Sequence, residues 1–599
     1  MRILIGSFCA AVSTISTINF HAPYYNHMIS RQASWVALLV FMTSVYLLKF
    51  SSRHDSRLFH QLDDVPELLL QFGSFLITAS PLMLPQIAYI VLELHTPSRY
   101  ASFVGAAINA LSAAFVAIWA IRSNDDSPDK SNNISKFNFL LFLGLYCVFT
   151  YGLTNQFSFI LNSSCSDLVA ASASLSFLAT TIATYKYYTD RKKHGSSEKK
   201  ARKTTKRQNA KYAFLSPSLS SLQLVIIIIH WSLVAVFING SIYQVLVPQC
   251  HAPMSSFEHH PYKILNKSES LTGYISVVEA PSPSSGTIRI MRCDHSLLGG
   301  IYLEYDNISI YSCFYLLGLS HVIKRHDESS KAAESKKALQ LGLGIGIGAN
   351  MLHDLGYEMQ IVEIDPLVYT YAVQYFGLLK PSPSVSNGVP NPFIGDGRLF
   401  LEEVAEDGSF DLIMHDIFTG GVVPQTLVSV EAIKSVSRVL KSNGILAFNH
   451  VGNLDSSASA SVIRTIRSVF KYVSCAVESK EVEDSLKYSG SKIDNAKVVY
   501  NMVFYASHYP IEFGRFSDKD TEKISRHPHY DMYTRLLENM HDHLIIRSEY
   551  IEKILGKYPD SLVITDNFNP LAASQFNAVE THWELLQTLF PTDFWLNAF

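Results

Sequence analysis

Residues 340 to 351, QLGLGIGIGANM, place glycine at every second position: Gly342, Gly344, Gly346 and Gly348. Such alternation is costly inside a strand or helix, and makes sense where a backbone turns tightly or lies against a ligand. Glu363 follows Gly344 by 19 residues, in the run EMQIVEID. An acidic side chain at about that spacing accepts hydrogen bonds from the hydroxyls of a bound ribose. Asp365 stands on the same strand end, positioned either to assist or to cap the next helix. Asp396 with Gly397 in NPFIGDGRLF, and Asp416 in FDLIMHDIF, bring two further carboxylates to the ends of apolar runs. Asp416, ending its run, would point into the same crevice as the glycine turn. Capping of a strand end or turn is the alternative role for Asp416.

The elements that must position these residues are legible as an alternation. KALQLGLG reads as a strand, IGANMLHDLG as a helix closed by Gly356, EMQIVEID as a strand and PLVYTYAVQYFG as a helix. NPFIGDGRLFLEEVA adds a third strand and helix, FDLIMHDIF a fourth strand, VEAIKSVSRVLKSNG a helix ending at a glycine, and ILAFNHVG a fifth strand. Strand and helix in turn predict a mostly parallel sheet covered on both faces, with its ligand at the carboxyl ends of the strands. The glycines alone also fit a loose dinucleotide fingerprint. Asp396 and Asp416 favour a nucleoside thioether, S-adenosylmethionine or its decarboxylated form, because Asp396 stands where such enzymes contact the adenine amine. Before this domain, GYISVVEA, GTIRIMRCD and GGIYLEYD alternate as short strands of a small antiparallel sheet.

With Asp396 and Asp416 placed, the domain resembles the spermidine/spermine synthase family, the polyamine aminopropyltransferases, and most of all their membrane-anchored fungal members. The likeness runs from about Leu271 to Phe504, with a further patch near the C-terminus. It is carried by TGYISVVE, MRCDHSLLGGIYL, GLGIGIG, VEIDP, GDGRLFLE, HDIFTGGVVP and ITDNFNPLAASQFNAVETHW. The resemblance implies a glycine turn of Gly342, Gly344 and Gly346, ribose binding by Glu363 with Asp365 nearby, adenine binding at Asp396-Gly397, and a base at Asp416. It implies decarboxylated S-adenosylmethionine as aminopropyl donor and an amine as acceptor. Several positions depart from the family pattern. Ile345 stands where an aspartate usually grips the donor amine, Gly273 for a glutamine, Tyr311-Ser312-Cys313 for Tyr-His-Glu, and Thr419 for a second acceptor-site aspartate. A diamine is a dication and calls for several carboxylates. Three readings stay open: an aminopropyltransferase with a rebuilt acceptor site drawing on Asp566, a methyltransferase using intact S-adenosylmethionine, and a non-catalytic nucleoside-binding protein. A methyltransferase tolerates Ile345, because its donor carries a carboxylate near that turn.

The N-terminal half has a different character. Charged residues make up 17% of the 599 and apolar ones 48%, the latter concentrated before residue 247. About seven apolar runs of near-spanning length predict a polytopic α-helical membrane region over 1–246 and lipid as a partner. The loop 191–211 carries ten Lys or Arg, which the positive-inside rule assigns to the cytosol. Counting spans from there puts the C-terminal domain on the lumenal side. The expected organisation is a membrane region at 1–246, a linker at 247–268, a small β subdomain at 269–330, a Rossmann-like domain at 331–510 and a helical extension at 511–599. A net charge of −3 gives no reason to expect nucleic acid. Seven scattered cysteines and two His-x-His pairs complete no metal-ligand spacing, so no metal is expected. A homodimer is compatible with this organisation.

Overall fold

The computed structural model describes residues 257–259, 261–282, 286–325, 336–378, 391–417, 424–477, 500–525, 529–539, 545–546, 548–571 and parts of 579–595. All of them fall within one compact unit, 253–599.

Strands β1 (Phe257–His259), β2 (Tyr262–Ser270), β3 (Gly273–Pro281), β4 (Thr287–Cys293), β5 (Ser296–Tyr302) and β6 (Ile308–Ser309) pair in sequence order as a 6-stranded sheet. Every pairing in it is antiparallel, as short connections between neighbours require. The sheet therefore takes in much of the segment expected to be a linker. Helix α1 (Cys313–Gly318) leads out of it.

The second sheet is built by the anticipated alternation. Its elements are β7 (Lys337–Leu341), α2 (Ile347–Asp354), β8 (Glu358–Glu363), α3 (Pro366–Tyr375), β9 (Phe393–Ile394), the short α4 (Gly397–Leu399) and β10 (Phe410–His415). After these come α5 (Gln425–Val428), α6 (Val430–Val439), β11 (Leu440–Gly452), α7 (Ser457–Arg467), β12 (Tyr472–Val477) and β13 (Tyr500–Ser507). Helices α8 (Asp518–Ile524) and α9 (Tyr530–Asn539), strand β14 (Ile545–Ile546) and helix α10 (Ser548–Lys557) close the series. The 8 strands lie in the order β14-β12-β13-β11-β10-β7-β8-β9. From β9 to β11 the pairing is parallel; β13, β12 and β14 add an antiparallel edge. Helix α6 stops at Val439, short of the glycine expected to close it, because Leu440 already pairs with Phe410 and the ladder resumes at Ile445 after a bulge.

Successive residues of the central strands feed opposite cores, which is why they read as unbroken apolar runs. Ala338, Leu412, Met414, Ile445 and Ala447 enter one core, and Leu339, Ile413, Leu446 and Phe448 the other. Strand order reverses between β7 and β10, and a crevice at that point is the expected ligand site of such a sheet.

The fold class expected for the N-terminal half requires correction. Among the described residues no helix is long and apolar enough to cross a membrane. The longest, α7, has 11 residues and reaches ~16 Å at ~1.5 Å per residue, against a hydrocarbon core of ~30 Å. The segments expected as seven spans, and the basic loop 191–211, lie outside the described residues. The multi-pass membrane placement and the lumenal side of the C-terminal domain are withdrawn with them, since hydropathy measures how apolar a segment is and not where it sits.

Candidate active site

The turn after β7 is shaped by positions where only glycine fits. Gly342 has φ +76°, and a Cβ there would collide with the Asp416 carbonyl. Gly344 has φ +55°, and its Cβ would meet the Leu298 carbonyl oxygen at 2.8 Å. The backbone thus lies in a crevice between β10 and β5 that a side chain would close. Beside this turn opens a cavity of about 400 Å³. Its lining includes Gly342, Gly344, Glu363, Asp396, Gly397 and Asp416, so six of the eight expected site residues meet there. Gly346, with φ +83°, starts α2 and does not line the cavity.

Glu363 is 7% exposed and holds the turn in shape: its Oε2 accepts from the Leu343 N–H at 2.9 Å and its Oε1 from the Asp365 N–H at 2.9 Å. Burial raises its pKa to about 7 against the opposing pull of those N–H groups. Each carboxylate oxygen keeps a lone pair for a further donor. Asp396 is exposed, and its Oδ1 accepts from the Arg398 N–H at 2.8 Å, capping α4. Asp365 goes elsewhere. It is fully buried, and its carboxylate accepts from the Ser270 hydroxyl, the Thr272 N–H and hydroxyl, and the Leu367 N–H. It caps α3 and ties the β2–β3 hairpin to the main sheet, and it is absent from the cavity lining.

Asp416 ends β10. Burial raises its carboxyl pKa to about 6, while a hydrogen bond donated by Asn449 Nδ2 at 2.7 Å pulls the other way. His415 before it points into the core, stacks on Phe448 and bonds the Leu427 carbonyl through Nε2. Burial lowers its pKa to about 4, which keeps it neutral. Asp566, expected as a substitute acid, instead pairs with Arg398 at 3.0 Å and accepts from the Ser429 hydroxyl, away from the cavity. Ile345 is buried under Gly299, and Thr419 lies outside the described residues. Among the described residues no group of His, Cys, Asp and Glu could hold a metal ion. His529 bonds Tyr315 and the Asp306 carbonyl, and His527, His541 and His543 lie outside the described residues.

Sequence reasoning missed two parts of the wall. Asn449, from β11, lines the cavity beside Asp416, and so do His582, Leu585, Leu586 and Leu589 from the C-terminal segment. That segment is seated by Trp583, 1% exposed and edge-on to His295, and by Phe594 and Trp595, whose ring centroids lie 5.3 and 5.1 Å from the Arg292 guanidinium. Its amphipathic spacing indicates packing. No sequence signal places its exposed leucines over this crevice.

Residues 319–479 match the description of the spermine/spermidine synthase domain. That stretch is similar to the spermine/spermidine synthase family. The chain is 34% identical over 220 residues to an N-terminal histidine N-methyltransferase of Emericella nidulans, covering 35% of this chain and 38% of that protein. It is 34% identical over 140 residues to a polyamine aminopropyltransferase of Vibrio vulnificus, covering 22% of this chain and 44% of that one. Each match thus spans less than half of the relative's length. A solved structure of a probable spermidine synthase from Corynebacterium glutamicum overlaps 51% of this chain and 97% of its own, with a TM-score of 0.37 and 15% identity.

Proposed function

We propose that the synthase domain is an S-adenosylmethionine-dependent transferase that moves the methyl group to a nitrogen acceptor held at Asp416. The observation that carries this reading is the distribution of acids in the cavity. Glu363 and Asp396 belong to the nucleoside end, which leaves Asp416 as the acid for the acceptor among the described lining residues. A diamine needs more negative charge than one carboxylate supplies, and a donor amine freed by decarboxylation finds Ile345 where an acid would hold it. The similarity to a histidine N-methyltransferase supports the same choice.

The chemistry asks little of the protein beyond placement, because the sulfonium carries its own leaving group. The acceptor nitrogen, once it has a free lone pair, forms a bond to the methyl carbon. The carbon–sulfur bond breaks with its electron pair going to sulfur, and the nitrogen's proton passes to Asp416. A carboxylate whose pKa lies near the working pH suits both halves of that role, accepting the proton and releasing it to solvent. Holding nucleophile and methyl group in line supplies much of the remaining acceleration.

Aminopropyl transfer is the second reading, favoured by the domain match and by the aminopropyltransferase relative. The two separate in one experiment on the full chain. Calorimetric titration with S-adenosylmethionine and with its decarboxylated form is followed by mass spectrometry of a histidine-initial peptide and of diaminobutane. Tighter binding of the intact donor, with a peptide heavier by one methyl group, is expected. Preference for the decarboxylated donor with an aminopropylated diamine would overturn the proposal, and binding of neither would favour a non-catalytic domain.

A further inference from the structure

Asp416, directly after β10, stands beside Asn449 of the adjacent parallel strand β11. His415 pairs with Phe448 in the ladder, so the next residue of each strand falls on the same face. Asn449 is 6% exposed and lines the cavity, and its Nδ2 donates to Asp416 Oδ1 at 2.7 Å. That bond fixes the amide's orientation, because a carboxylate cannot donate to the amide oxygen. Asn449 Oδ1 is left buried, with no hydrogen-bond partner among the described residues. An unpaired buried acceptor is costly and rare in a native site, and calls for an explanation. Two acceptor atoms, Asn449 Oδ1 and Asp416 Oδ2, are thereby left for whatever occupies the cavity beyond the methyl donor.

We propose that Asn449 reads the acceptor: it steadies Asp416 through Nδ2 and takes one N–H of the acceptor group on Oδ1, while Asp416 Oδ2 takes another. Two acceptors side by side select a group with at least two N–H donors, a primary amine or ammonium, over a hydroxyl or thiol, which has one hydrogen to give. One carboxylate beside a neutral amide suits a monocation. The inference rests on the proposed nitrogen acceptor but concerns binding, so it is tested without turnover.

The experiment is calorimetry on the full chain saturated with S-adenosylhomocysteine, using a histidine-initial peptide with its amino terminus free or acetylated, and butylamine and diaminobutane as small amines. The wild type is expected to prefer the free amine. Asn449→Leu is expected to weaken that binding by about ten- to a hundred-fold, the worth of a hydrogen bond to a charged group. Asn449→Asp, which keeps an acceptor in place, is expected to restore most of it and to favour diaminobutane. Affinity for S-adenosylhomocysteine should stay unchanged in both variants, which also reports that they fold. A second readout is the acid limb of amine binding. Losing the Nδ2 donor moves it to higher pH in Asn449→Leu, because that bond holds the Asp416 carboxyl down. The other titratable groups on the same cavity, Glu363, Asp396, Cys293, Cys313, Tyr311, Tyr500 and His582, are untouched by the change. Equal binding of free and acetylated peptide, or equal loss in the Leu and Asp variants, would overturn the proposal. Amine binding that follows these rules without methyl product would uphold it and reject methyl transfer.

Discussion

At the scale of single residues the site divides by charge and burial. Glu363 combines two backbone hydrogen bonds with a place in the cavity wall. Glu363→Ala is expected to cost about 1.5–3 kcal/mol of nucleoside binding, or roughly ten- to a hundred-fold in affinity. Unchanged affinity by calorimetry would rule out ribose binding by Glu363. Asp416→Asn should keep donor affinity and lower turnover by about 10²–10⁴-fold, the range of a lost general base. In the wild type, turnover should rise with pH through a limb near 6, as the carboxyl ionises. A limb that persists in Asp416→Asn would point to another group. Much of this was legible in the chain: glycine spacing and the acids at strand ends are local patterns. The cap on α3 was one of the two roles the chain offered for Asp365. Its clamp on the β2–β3 hairpin, and the clamp at Asp566, were not legible, because sequence shows that an acid is present and not which distant donors reach it. The one is satisfied by Ser270, Thr272 and Leu367, the other by Arg398 and Ser429.

At the scale of elements, the cavity depends on a segment far from it in sequence. Leu585, Leu586 and Leu589 contribute apolar side chains to its wall, and their segment is held by an aromatic cluster around Arg292, so packing there and access to the site are coupled. Trp583→Ala removes a fully buried ring and is expected to destabilise the chain by about 3–5 kcal/mol. Because the same segment walls the cavity, acceptor KM should rise in this variant more than donor affinity falls. Chemical denaturation and steady-state kinetics report the two effects separately. A stability loss with unchanged KM would make the segment a structural strap alone.

At the scale of the whole molecule, the site stores a cost. Glu363 and Asp416 both have pKa values raised by burial, from 4.5 to about 7 and from 3.8 to about 6. Between the unfolded and folded values the native state binds more protons, so stability falls as pH rises through that window. Glu363 alone contributes a few kcal/mol at ~1.4 kcal/mol per unit. Asp520 acts in the opposite sense: its pKa is held down by hydrogen bonds from His321 and Ser517 against burial, and its contribution is lost only as pH falls below the ordinary carboxylate range. The ligand-free chain should therefore lose stability between about pH 5 and 7.5, and Glu363→Gln combined with Asp416→Asn should flatten the slope. Thermal midpoints across that range decide it; an unchanged slope in the double variant would place the cost elsewhere.

By itself the sequence determined the alternation of strand and helix, the glycine turn, and which acids stand at strand ends. These follow from side-chain periodicity and backbone sterics over a few residues. Hydropathy also suggested a membrane region over 1–246, and no described helix supports it. Only the tertiary structure decided that Asp365 and Asp566 are bound up in clamps, that the C-terminal segment walls the cavity, and that Asn449 faces Asp416. The hydrogen bonds among these join residues 33 to 168 positions apart, and the cavity wall brings the C-terminal segment to a glycine turn still farther away in sequence. Such contacts are set by the packing of whole elements, and no local pattern encodes them.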